Sequence, residues 1–382
     1  MGLSIDQLVA WGVLYYAFNV LAAPMALDFG VSRRFVAGAF SLALLVAGVL
    51  AGRVGRVLDR YGARTVLVVG GVTGALAFAA LAFVHEAWTL LVVFALLGAT
   101  HALSLYEPAF RAVVDWMVEE RPRARALLLL TSVAGFASTA FLPLTARWVE
   151  AFGWRTSVLL LAAVLVAVVL PMRLAMPPPT GSTAQRAPQS VLTPSRAADL
   201  LGIAFALQSF ASTGIVVFLV WHFVERGMSV EAAATLAGLV GAAQAPGRLL
   251  LLPLQRALRP EQRLPALFVL QALGLTGIAY VDGAPRVLSI LLFGGTAGMM
   301  TLERAMVTVE WFGRETFGAR SGRMAAMAAV ARAASPFAVE SLHGVMTYAR
   351  TIVAMTLVFL AGAGTVLMAT RARAGIQRSG GP

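Results

Sequence analysis

The sequence predicts an all-α membrane protein, with twelve transmembrane helices arranged as two six-helix bundles. Three observations predict it. Of 382 residues, 59% are hydrophobic and only 13% charged, whereas a soluble domain is about half apolar and about a quarter charged. The apolar residues gather in blocks of about 20, the length that crosses a bilayer as a helix. A segment rich in Pro, Ser, Thr and Gln then separates the blocks into six and six.

In chain order the blocks run approximately over 6–27, 35–54, 64–84, 88–111, 125–149, 154–174, 198–223, 230–252, 263–281, 285–311, 321–345 and 349–370. Each is rich in Leu, Ala, Val and Gly, and small residues let helix backbones approach where lipid supplies no hydrophobic drive. In hydrocarbon every backbone polar group needs an internal partner, so blocks of this length are helices. A barrel would need segments of about 10 residues with alternating polarity, and that pattern is missing. The linker composition of Met176–Pro194 sets the expected organisation: an N-terminal bundle over 1–175, a cytoplasmic linker over 176–197 and a C-terminal bundle over 198–382. Little chain remains for a sizeable extramembrane domain, so most soluble enzyme folds are excluded.

The formal charge is +12, and all thirty basic residues are arginine. With a cytoplasmic N-terminus, 21 arginines fall on inside segments and 7 outside, with Arg304 and Arg332 within blocks. That asymmetry fits the positive-inside rule, puts both termini in the cytoplasm and removes the case for nucleic acid. Cysteine is absent and the four histidines are scattered, so no metal site, cofactor or thiol chemistry is expected. No cleavable signal peptide is expected either.

The two halves carry an internal repeat. Gly98, Thr100 and Glu107 in the fourth block recur with the same spacing as Gly294, Thr296 and Glu303 in the tenth, 196 residues later. Trp116 and Trp311 each follow an acid, Asp115 and Glu310, and Gly52-Arg53 is matched by Gly247-Arg248. Parallel six-helix repeats are one recognised transporter plan.

After the second block the chain reads Gly55-Arg-Val-Leu-Asp59-Arg60-Tyr61-Gly62-Ala63-Arg64. This resembles the loop signature of the major facilitator superfamily, with matches at Gly55, Asp59, Arg60, Gly62 and Arg64. Glycine at 62 suits a tight loop of positive φ. Asp59 suits pairing with arginines and helix N-termini. Gly153-Trp154-Arg155 is similar to the opening of the sixth helix in that superfamily. Phe317-Gly318 with Ser321-Gly322, and the Leu105–Phe110 stretch, resemble its oxalate/formate-exchanger and monocarboxylate-transporter branch. The antiporter signature of drug exporters is missing from the fifth block.

The resemblance implies a secondary transporter whose first, fourth, seventh and tenth helices line a central site. Ionisable groups inside a membrane are functional candidates by default. Arg248 matches the branch's carboxylate-binding arginine, with Gln244 in place of its aspartate; alternatively it is a surface arginine like its repeat mate Arg53. Arg332 would supply a second cation. Glu107 and Glu303 are candidates for proton coupling, and Arg304, Asp59 and Arg60 for gating. Tyr15, Tyr16, Asn19, Gln208 and Ser212 offer neutral hydrogen-bonding groups, and His101 lies near mid-depth in the fourth block.

The expected function is transport of a small organic anion, a carboxylate above all, across a bacterial inner membrane by alternating access, as a monomer. A proton or counter-anion would be the coupled species. The alternatives are a proton-driven exporter of drugs or toxic metabolites, and a non-transporting sensor or assembly factor. No catalytic constellation supports an enzyme.

Overall fold

The computed structural model describes residues 1–117, 119–177, 195–312 and 317–379. The central part of the expected linker, 178–194 with Arg186, lies outside them, as do Arg314 and the last three residues.

The described chain is helical throughout, with no strand among the described residues. α1 (Gly2–Trp11) passes through a π-helical turn, Gly12–Tyr16, into α2 (Phe18–Asp28). α3 (Arg33–Ala80) ends in a 3-10 turn, Leu81–Phe83; α4 (Ala87–Ser104), α5 (Tyr106–Trp116), α6 (Glu120–Gly135) and α7 (Ala137–Val164) follow. A second π turn, Leu165–Val169, leads into α8 (Leu170–Leu174). The remainder is α9 (Arg196–Glu225), α10 (Val230–Ala257), α11 (Pro260–Tyr280), α12 (Ala284–Phe312), α13 (Phe317–His343) and α14 (Tyr348–Ser379).

Nine helical stretches among the described residues are long and apolar enough to cross a membrane. Two of them, Arg33–Phe83 and Arg121–Leu174, hold 51 and 54 residues, about twice a span. Each contains one glycine with positive φ, Gly62 at 78° and Gly153 at 76°. Only glycine adopts that backbone without strain, and both glycines stand where the sequence places a boundary between blocks. Divided there, each stretch supplies two spans, which makes eleven; α13, where the sequence places its eleventh block, is not among the nine.

The fourth block, expected as one helix, is broken at Leu105 (φ −86°, ψ −155°). Pro108 is the physical cause. Its nitrogen would be the donor to the Ser104 carbonyl in a continuous helix, but it carries no hydrogen and its ring crowds that carbonyl. In the repeat, Arg304 stands at the corresponding position and α12 runs unbroken. The fifth block is likewise interrupted, at Phe136 between α6 and α7.

The chain forms two compact units, Met1–Ala184 with Val216–Ala242, and Gln185–Ile215 with Ala243–Pro382. Residues 216–242, assigned by the sequence to the C-terminal bundle, pack in the first unit. Asn19 Nδ2 donates to the Val216 carbonyl (2.8 Å), and Trp221 Nε1 to that of Asn19 (2.7 Å). Thr139 Oγ1 donates to the Gly238 carbonyl at 2.8 Å, and Arg147 pairs with Glu231.

Close backbone approach fixes the helix contacts in both units. A Cβ on Gly98 of α4 would lie 2.3 Å from the Ala43 carbonyl oxygen of α3. A Cβ on Gly247 of α10 would lie 2.1 Å from the Gly295 carbonyl oxygen of α12. Gly98 and Gly247 are therefore packing positions, as expected where helices associate without a hydrophobic drive, whereas Gly52, the repeat mate of Gly247, has open space beside it.

Candidate substrate and coupling sites

The first unit is organised around a buried ion pair that the sequence reading passed over. Arg173 of α8 and Asp6 of α1 are both fully buried. Arg173 Nε donates to Asp6 Oδ1 at 2.7 Å and Nη2 to Oδ2 at 3.3 Å. Its Nη1 donates to the Leu67 carbonyl (2.7 Å) and Ser104 Oγ (3.0 Å), and Nη2 also to the Ser104 carbonyl (3.1 Å). All five guanidinium hydrogens thus have acceptors. The Ser104 carbonyl also accepts from Gln7 Nε2 at 2.9 Å. This is the carbonyl that Pro108 leaves without a helical donor, so the network caps the broken end of α4.

Near it, His101 is 5% exposed and its Nε2 lies 2.8 Å from the Leu14 carbonyl in the first π turn. It borders a small cavity of about 10 Å³ lined by Leu14, Phe18, Phe40, Phe94 and other apolar side chains. Tyr15 is buried between the rings of Trp11, Tyr16 and Phe40, with centroids 5.2–5.4 Å away. Trp11 also meets Tyr106 (4.8 Å), which stacks on Phe110 (5.1 Å). Asn19, fully buried, spends its amide on Val216.

Asp59 and Arg60 lie at the end of α3 that carries the loop signature, and both are exposed. Arg111 Nη1 donates to Asp59 at 2.5 Å and its Nε to Asp115 at 2.7 Å, so one arginine joins two acids. Arg60 lies over the Tyr61 ring at 5.2 Å.

In the second unit Arg248 is 3% exposed, and its Nη2 donates to Gln244 Oε1 at 3.1 Å. The two share one turn of α10 that contains Pro246 and is pressed onto α12 through Gly247. Gln208 Nε2 donates to Ser212 Oγ at 3.0 Å on α9. Arg332 is exposed on α13 and has no partner among the described residues.

The two repeat-mate acids stand in different environments. Glu303 is fully buried and takes Arg263 Nε on both oxygens at 2.9 Å. Glu107 is exposed in the first turn of α5, with no partner among the described residues. The partner of Glu303 is Arg263 of α11, and not the adjoining Arg304. Arg263 Nη2 also lies 3.5 Å from Glu310, the repeat mate of Asp115. Arg173 and Arg263, two of the 21 arginines counted on inside segments, are therefore interior cations. The available signals were Asp6 in the first apolar stretch and Glu303 in the tenth, since a buried acid calls for a buried base.

The family profile described as Major Facilitator Superfamily matches residues 7–336. The chain belongs to the major facilitator superfamily. It is a multi-pass membrane protein of a transporter family and not an enzyme. Monocarboxylate transporter 11 of Homo sapiens is 29% identical over 300 residues, covering 73% of this chain and 62% of that protein. The chain therefore spans about three-fifths of that relative's length. A solved structure of the nucleoside transporter NupG superposes over 98% of both chains with a TM-score of 0.74, at 15% identity. At that identity the likeness concerns the major facilitator fold alone.

Proposed function

We propose that this chain is a secondary active transporter of a small organic anion, with Arg248 as the carboxylate-binding cation. One observation supports the assignment above the others. Arg53 and Arg248 are repeat mates, yet Arg53 is exposed while Arg248 is 3% exposed and oriented by a neutral amide. A fixed guanidinium presents a planar fork that fits a carboxylate bidentately. Gln244 orients the fork without adding a negative charge. The monocarboxylate relative supports the same substrate class. Arg332 would act as a second cation. Gln208 and Ser212 of the same unit would supply neutral hydrogen-bonding groups, and Tyr15, Tyr16, Asn19 and His101 would be the neutral polar groups of the first unit.

Transport would proceed by alternating access between six-helix bundles in a monomer, with a proton or counter-anion coupled at Glu107 or Glu303. Asp59, Arg60 and Arg304 would act in gating. The arginine asymmetry supports both termini on the cytoplasmic side of a bacterial inner membrane. Leaving out the buried Arg173, Arg248, Arg263 and Arg286 keeps about a threefold inside excess.

A second reading rests on Glu107. An exposed carboxylate in the same helical turn as the stacked Tyr106 and Phe110 suits an organic cation, as an exporter would require.

The test is a ligand screen on purified protein, followed by uptake into proteoliposomes. Carboxylates raise the melting temperature, because a ligand stabilises the state that it binds, and uptake follows. Arg248→Ala abolishes both and Arg248→Lys retains part. Undiminished uptake by Arg248→Ala overturns the site. Stabilisation by organic cations alone supports the second reading, and no ligand at all supports a non-transporting role.

A further inference from the structure

Arg53, Arg56 and Arg60 lie on one face of α3 before Gly62, spaced by three and four residues, so their side chains share a stripe about 10 Å long. All three are exposed, and none has a carboxylate partner among the described residues. Other arginines are matched internally: Arg111 with Asp59 and Asp115, Arg173 with Asp6, Arg263 with Glu303, Arg373 with Glu261. Even Arg64, just past the glycine, donates to the Leu174 carbonyl at 2.7 Å.

The same face continues toward the middle of the helix as bare hydrocarbon. Leu45 is 47% exposed and Val49 62% exposed. Val54 and Leu58, on the opposite side, are buried against Ala63, Val66 and Ala112. A Cβ on Gly52 or Gly55 would meet nothing within 4 Å, so the face has open space beside it. Asp59 stands on its flank and is turned to Arg111.

We propose that this face binds an anionic phospholipid, its phosphate on Arg53, Arg56 and Arg60 and its acyl chains along Val49 and Leu45. A free phosphate would use the cations and have no use for the apolar half. A zwitterionic lipid would use the apolar half but carries its own cation beside the phosphate. Only a lipid of net negative charge satisfies both halves of the stripe. Each arginine near such a headgroup changes affinity about fivefold.

The test titrates full-length protein in neutral detergent with phosphatidylglycerol, phosphatidylcholine or inorganic phosphate. Bound lipid is counted by native mass spectrometry, and thermal stability is followed in parallel. Phosphatidylglycerol binds and stabilises; phosphatidylcholine and inorganic phosphate do not. Arg56→Gln weakens phosphatidylglycerol about fivefold and the triple glutamine variant about a hundredfold. Arg34→Gln with Arg350→Gln, which changes exposed arginines elsewhere, leaves binding intact. If the triple variant does not fold, the single variants and Val49→Asn carry the test. Equal binding of phosphatidylcholine, equal binding of inorganic phosphate, or full retention of phosphatidylglycerol by the arginine variants overturns the proposal.

Discussion

Arg263 of α11 holds both carboxylate oxygens of Glu303 of α12 through its Nε, at 2.9 Å each, and neither side chain reaches solvent. Each charge is tolerable only because the other is present. Removing one partner of a buried pair costs about 3–5 kcal/mol, whereas replacing both with apolar groups is close to neutral. Glu303→Ala and Arg263→Met should each lower the melting temperature sharply in detergent. The combination Arg263→Met with Glu303→Leu should recover most of the loss. A double variant as unstable as the sum of the two singles would show that the pair is not the unit of stability.

Asp6 and Arg173 make a stricter demand, because Arg173 also serves Ser104 and Leu67. A lysine has three donors where this site presents five acceptor contacts. Arg173→Lys should keep the charge but lose about 1–3 kcal/mol, since unmatched buried acceptors carry their full desolvation cost. Arg173→Met, which strands Asp6, should lose more. Thermal unfolding of the two variants side by side measures the difference, and equal stability of Arg173→Lys and wild type would contradict the cap on α4.

Much of the architecture was legible from block length, because hydrocarbon leaves a chain few options besides helices. The turns at Gly62 and Gly153 were legible for a different reason: a left-handed backbone selects glycine. The break at Leu105 was also written in the chain, at Pro108, but a hydropathy block hides a proline that leaves the composition apolar. The candidate site was less legible. Repeat spacing pairs Arg53 with Arg248 and Glu107 with Glu303, yet burial separates the members of each pair. A periodic sequence records which positions correspond; it does not record which neighbour covers them. The partners Asp6–Arg173 and Arg263–Glu303 are 167 and 40 residues apart, and no local spacing announces them.

Gly247 tests the contact that holds α10 against α12. A methyl group added there would sit 2.1 Å from the Gly295 carbonyl oxygen, and because the obstacle is backbone it cannot swing away. Gly247→Ala should therefore separate the helices at a cost of about 1–3 kcal/mol and displace Arg248 at the next position. The expected result is a lower melting temperature together with weaker carboxylate binding. Gly52→Ala, at the repeat mate with open space around it, should leave both unchanged.

Gln244 offers the sharpest separation between orientation and charge. It accepts from Arg248 across one helical turn, so Gln244→Asp would keep an acceptor nearby and add a negative charge beside the guanidinium. If Arg248 binds an anionic substrate, the new carboxylate competes for the same fork and repels the ligand. Apparent affinity for a carboxylate should fall about tenfold or more. Gln244→Ala would lose orientation without adding charge, so its defect should be milder than that of Gln244→Asp. An aspartate variant that binds carboxylates as tightly as wild type at neutral pH would mean that the substrate never meets Arg248.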